Sequence, residues 1–127
     1  MSAELDLVWL HAIEEVPATQ VMKKETVTAL RKSIAHWKLI AAGKAYSYRG
    51  NTCALCLRFG RSCILGDEIC PVAIKTRMRG CLGTPYTDFY GAAEVDQHFY
   101  RWARTPEAVR AALAEVAFLE SLLPEEK

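Results

Sequence analysis

All five cysteines of this 127-residue chain fall between Cys53 and Cys81. Thiols gathered in so short a window cannot staple distant parts of a fold, and their odd number does not suit a disulfide scaffold. Cys53-Ala54-Leu55-Cys56 is a C-x2-C pair, the spacing that folds a tight knuckle with two thiolates facing one cation. The surrounding stretch 44–66 carries Gly50, Asn51, Gly60 and Gly66 and no sustained 3.6-residue period, which predicts irregular backbone that needs another source of order. A structural zinc ion bound by four thiolates at about 2.3 Å would supply it. The favoured ligands are Cys53, Cys56, Cys70 and Cys81, with Cys63 as the substitute. Lys75, Arg77 and Arg79 stand nearby to offset the negative charge of a zinc tetrathiolate. An iron–sulfur cluster takes the same four sulfurs and is the secondary reading. A redox C-x2-C, or a set of plain buried thiols, would account for the cysteines less completely. His11, His36 and His98 read as ordinary core or surface histidines rather than ligands.

Outside the cysteine window the pattern is helical. Val27, Leu30, Ile34, Trp37 and Ala41 recur at helical spacing and predict a helix over 24–42 that Gly43 ends. Thr84-Pro85 and Thr105-Pro106 repeat one signal, a threonine N-cap followed by proline at the first helical position. The first should open a helix running through Tyr86, Phe89, Tyr90, Ala93, Phe99 and Trp102, the second a helix ending before Pro124. Leu5, Val8, Trp9, Ala12, Ile13 and Val16 suggest a further helix near the N-terminus, stopped by Pro17, although the Leu5/Leu7/Trp9 alternation also permits a short strand. The expectation is a mainly α single domain over 1–127, with helical ends at 2–43 and 84–124, packed through the 24–42 and 106–123 helices. An irregular four-cysteine zinc-knuckle module is inserted at about 50–83.

The formal charge of +1 hides a segregation. Residues 1–22 carry four acids and no base (−4), 23–79 twelve bases and three acids (+9), and 80–127 four bases and eight acids (−4). Within 44–79, Lys44, Arg49, Arg58, Arg61, Lys75, Arg77 and Arg79 interleave with Tyr46, Tyr48 and Phe59. Bases that neutralise phosphates and aromatics that stack on unpaired bases make single-stranded DNA or RNA one candidate partner. A protein surface is the other, because aromatics and arginine are frequent interface anchors.

Catalytic patterns are lacking: there is no Gly-x-Ser-x-Gly elbow, no phosphate loop ending in Lys-Ser/Thr and no His-Glu-x-x-His. No apolar run reaches the roughly 18–20 residues of a membrane span, and the N-terminus lacks a secretory pattern, so a cytoplasmic, non-enzymatic protein with no membrane partner is expected.

Ala29-Leu30-x-x-Ser33-Ile34-x-x-Trp37, Cys53-Ala54-Leu55-Cys56-x-x-Phe59, Cys70-Pro71-Val72, Gly80-Cys81-x-Gly83-Thr84-Pro85-Tyr86 and Phe118-Leu119-Glu120-Ser121-Leu122-Leu123-Pro124 together resemble a family of small cysteine-rich proteins of tailed phages and prophages. That family has no established biochemical role. Its members often place the third cysteine two residues before the Cys-Pro, whereas six residues separate Cys63 from Cys70 here. The resemblance implies a metal-bearing module and a bacterial host cell, with a host or phage protein as the expected partner.

Overall fold

The computed structural model describes residues 22–47, 53–60, 63–65, 68–76 and 84–124. Among them run α1 (Lys24–Ala41), α2 (Ala54–Phe59), β1 (Ile64–Leu65), β2 (Glu68–Ile69), α3 (Pro71–Thr76), α4 (Pro85–Ala92), β3 (Glu94–Val95), β4 (Arg101–Trp102) and α5 (Pro106–Glu120). The described part is mainly helical, with two small antiparallel hairpins. The expected N-terminal helix lies outside the described residues.

Helix α1 forms where the apolar period requires it. Its Leu30, Ile34, Trp37 and Ile40 are buried, and Gly43 takes φ +77° just past its end, a left-handed turn that glycine makes without strain. Both threonine caps are in place. Thr84 Oγ1 accepts the Tyr86 amide at 3.2 Å and Thr105 Oγ1 accepts the Ala108 amide at 3.0 Å, each ahead of proline at the start of its helix. Helix α5 packs on both α1 and α4, burying Ala108, Ala112, Val116 and Leu119. Small alanines let the helices approach closely, and each large side chain fully removed from water adds about 1.5–3 kcal/mol. Phe89 of α4 fills the junction, edge-on to Trp37 with ring centroids 5.0 Å apart.

Two expectations fail. The helix opened by Thr84 stops at Ala92 and does not reach Trp102. Residues 94–102 form the β3–β4 hairpin, with Glu94 opposite Trp102 and Val95 opposite Arg101. The cause is Asp96: its Oδ1 accepts the amides of His98 at 2.8 Å and Tyr100 at 3.0 Å, and its Oδ2 the indole N–H of Trp102 at 2.9 Å. A side chain that bonds amides two and four residues ahead competes with helix and sets a turn. The stretch 44–66, expected to be irregular, holds α2 and β1. Helix α2 has only six residues, too short to display a period, and it is held by burial of Leu55 and Phe59 against the core.

Candidate functional site

Four of the five cysteines lie among the described residues. Cys53 immediately precedes α2 and its side chain makes no capping bond, while Cys56 sits in the first turn. Their thiols hydrogen-bond to one another, and Ser33 Oγ of α1 stands 3.5 Å from Cys53 Sγ. The bond to Cys56, burial and the Cys56 charge push the Cys53 thiol well above its ordinary range, with Ser33 and the Cys56 amide opposing. Cys63 and Cys70 occupy the base of the β1–β2 hairpin. The pairing of Ile64 with Ile69 makes Cys63 and Cys70 the next residues across, and the Cys70 amide donates to the Cys63 carbonyl at 2.8 Å. Both are buried, and Cys63 adopts φ +60°. Burial pushes the Cys70 thiol up to about 12, the Val72 and Ala73 amides oppose this, and the charges of Cys63 and Cys53 add to it. Cys81 lies outside the described residues.

Glu115 is not among the site residues expected from the sequence. This residue of α5 is 3% exposed, and its Oε2 has no hydrogen-bond partner among the described residues. Burial pushes its carboxyl up to about 7, the Cys53 charge adds to the shift, and a hydrogen bond from the Tyr86 backbone opposes it. By spacing it falls on the buried stripe of α5, four residues after Ala111, three after Ala112 and four before Leu119, so helical period was the signal that could have found it. Among the described residues, no three His, Cys, Asp or Glu side chains are grouped so as to hold a metal ion. The structure therefore presents two adjacent thiol pairs rather than a finished cage.

The basic and aromatic residues singled out from the sequence are dispersed. Arg58 is engaged inside the fold: its Nε donates to Thr26 Oγ1 at 2.8 Å and its Nη2 meets Glu68 Oε1 at 3.1 Å. Phe59 is core. Tyr46 stacks on Tyr100 with centroids 4.0 Å apart and planes 9° from parallel, while its carbonyl meets His36 Nε2 at 3.0 Å. Lys44 is exposed and Lys75 lies in the last turn of α3. Tyr48, Arg49, Arg61, Arg77 and Arg79 lie outside the described residues.

A different surface gathers aromatics and arginine. Ser47 exchanges both backbone hydrogen bonds with Arg101, so the hairpin gains a third partner beside β4. The Arg101 guanidinium lies 3.5 Å from the centre of the Tyr90 ring and donates to the Tyr90 carbonyl at 2.9 Å. Arg104 lies over Trp102 at 4.9 Å and meets Glu94 at 3.5 Å. At the tip stands Phe99, 73% exposed, with φ +65°. Sequence spacing had placed these aromatics on a helix; the signal that would have separated them is Asp96 followed by polar Gln97 and His98, a turn pattern inside an apolar run.

No family model, curated protein or solved structure matches this chain. No helix of the described residues is long and apolar enough to cross a membrane. The described residues define a small, mainly helical domain with two small hairpins.

Proposed function

We propose that this chain is a non-enzymatic, zinc-stabilised phage accessory protein that acts by binding a host or phage protein, with the tip of the β3–β4 hairpin as its anchor. The observation that carries this reading is Phe99. A large aromatic side chain in the left-handed region costs about 1–2 kcal/mol relative to an ordinary conformation, and at 73% exposure its burial contributes little to the fold in return. The loop under it is tied by four further backbone or side-chain bonds: the Phe99 amide to the Asp96 carbonyl, the Asp96 amide to the Tyr100 carbonyl, and the Asp96 carboxylate to the amides of His98 and Tyr100. An apolar group displayed on an ordered tip loses little conformational entropy on docking, which is what interface anchors require.

A protein partner is favoured over nucleic acid by the local charge. Residues 94–104 carry two acids (Glu94, Asp96) and two bases (Arg101, Arg104), so the tip offers no net attraction to phosphates. Arg58 and Tyr46 of the basic segment are engaged within the chain, by Glu68 and Tyr100 respectively. The phage context is supported by the motif resemblance, and the zinc by the two thiol pairs.

The test is site-specific photocrosslinking in a bacterial lysate, with the probe at position 99 and, as control, at Leu113, an exposed residue of α5. A discrete protein adduct from position 99 that is missing from position 113 supports the reading. Equal labelling from both positions, or adducts to nucleic acid alone, overturns it.

A further inference from the structure

The Cys53 and Cys56 thiols are hydrogen-bonded to one another, and both residues are only partly buried, whereas Cys63 and Cys70 are enclosed in the core at 7% and 6% exposure. The backbone explains the contact. The Cys53 carbonyl accepts the Leu57 amide at 3.0 Å, the first i→i−4 bond of α2, so Cys53 already stands on the helical cylinder although its own backbone is extended. Positions three apart on that cylinder have Cα atoms about 5 Å apart, inside the roughly 4.4–6.8 Å that a disulfide spans without backbone movement. The turn between them is held from α1. Leu55 is buried and its amide donates to Ser33 Oγ at 3.4 Å, while the same buried Ser33 oxygen stands 3.5 Å from Cys53 Sγ. Sulfurs already held in contact lose little further freedom when a bond joins them.

We propose that Cys53 and Cys56 are a site of reversible oxidation, joined into an intrachain disulfide by an oxidant of the peroxide class and parted again by a dithiol reductant. In the first step one sulfur attacks a peroxide oxygen: an S–O bond forms, the O–O bond breaks, and the hydroxide released takes the thiol proton and leaves as water. In the second step the other sulfur attacks the resulting sulfenic acid: the S–S bond forms, the S–O bond breaks, and hydroxide leaves with the second thiol proton as another water. Two electrons pass from the sulfur pair to the peroxide. A dithiol restores both thiols by exchange through a mixed disulfide. Susceptibility to such oxidants follows exposure, so the partly exposed pair reacts ahead of Cys63 and Cys70 in the core. The proposal stands apart from the zinc reading, because it needs only two sulfurs and an oxidant. Zinc held by the same sulfurs would slow the reaction and be released by it.

The experiment exposes the reduced full-length protein to hydrogen peroxide, with and without a metal chelator. Remaining thiols are alkylated at successive times and bridges are mapped by mass spectrometry. A Cys53–Cys56 bridge is expected as the first product in the chelated sample, fully reversed by dithiothreitol and with helical circular dichroism unchanged. Cys63 and Cys70 should lose their thiols at least tenfold more slowly, and urea should abolish that difference. Cys56→Ser should stop at a sulfenic acid on Cys53, trapped by dimedone. A bridge delayed in the sample without chelator supports the proposal and the zinc reading together; equal rates in the two samples support the proposal and count against zinc on this pair. A bridge between Cys63 and Cys70 formed first, Cys63 and Cys70 reacting as fast as the pair, or Cys56 carried to the sulfinic acid while Cys53 remains a thiol, overturns the proposal and leaves the zinc reading standing.

Discussion

The Asp96 carboxylate accepts the indole N–H of Trp102 at 2.9 Å, joining the residue after β3 to the last residue of β4. One side chain thereby closes the hairpin at both ends, since its other oxygen holds the amides of His98 and Tyr100 inside the turn. The hydrogen bond from Trp102, more than any other interaction, holds the Asp96 carboxyl below its usual range; the two amides and His98 act in the same sense and desolvation opposes them. A lowered folded value means that the stabilisation is present above the ordinary carboxylate value of about 3.9 and is lost as pH falls through the lower folded one. Trp102 fluorescence in the wild type should change in that acid range, and Asp96→Asn should lack the transition.

Phe99→Gly should leave thermal stability equal or higher. Glycine relieves the left-handed strain, and the phenyl ring is 73% exposed. Differential scanning calorimetry of the two proteins checks this. A clear drop in Tm would show that the ring supports the fold and would remove the reason for assigning it to a partner.

Glu115 sets a pH dependence of the opposite sign. Its folded value of about 7 lies above the unfolded one, so the stabilisation is fully present below the ordinary carboxylate range and is lost as pH rises through about 7. The effect is on the order of 3 kcal/mol when fully expressed. Unfolding in urea should show stability falling between about pH 4.5 and 7.5, and Glu115→Gln, which is never charged, should flatten that slope.

Arg58 is expected to act in the fold rather than at a nucleic-acid surface. Glu68 is 3% exposed; burial raises its carboxyl, yet the Lys23 amide, Thr26 and Arg58 together outweigh that and bring it below its ordinary range. Removing the Arg58 guanidinium leaves a buried carboxylate short of its cation. Arg58→Ala should therefore cost about 3 kcal/mol in chemical denaturation, with loss of the coupling between α1 and β2 that Thr26, Arg58 and Glu68 provide.

Where local chemistry alone decides an element, the sequence suffices. The period of α1 and the two Thr-Pro starts are legible, and α1 does pack on α5, whereas the short helix Pro71–Thr76 lies inside the stretch expected to be irregular. Residues 94–102 mislead because Phe99 and Trp102 are three apart, which imitates a helical face; the competing Asp96 turn shows only when its acceptors are matched to particular amides. Helix α2 is too short for a period and depends on burying Leu55 and Phe59, a tertiary effect. In the thiol site, the Cys53/Cys56 pair is plain from spacing. The opposition of Cys63 and Cys70 is a matter of strand register, and the burial of Glu115 follows from α5 packing on two helices.

The most direct test of the docking claim is a quantitative pull-down from bacterial lysate comparing the wild type with Phe99→Gly, with nuclease-treated and untreated lysate run side by side. A protein should be retained by the wild type in both lysates and reduced at least tenfold with Phe99→Gly, while the variant keeps its zinc and its Tm. The same protein captured equally by both chains, or capture that disappears on nuclease treatment, would contradict the docking claim.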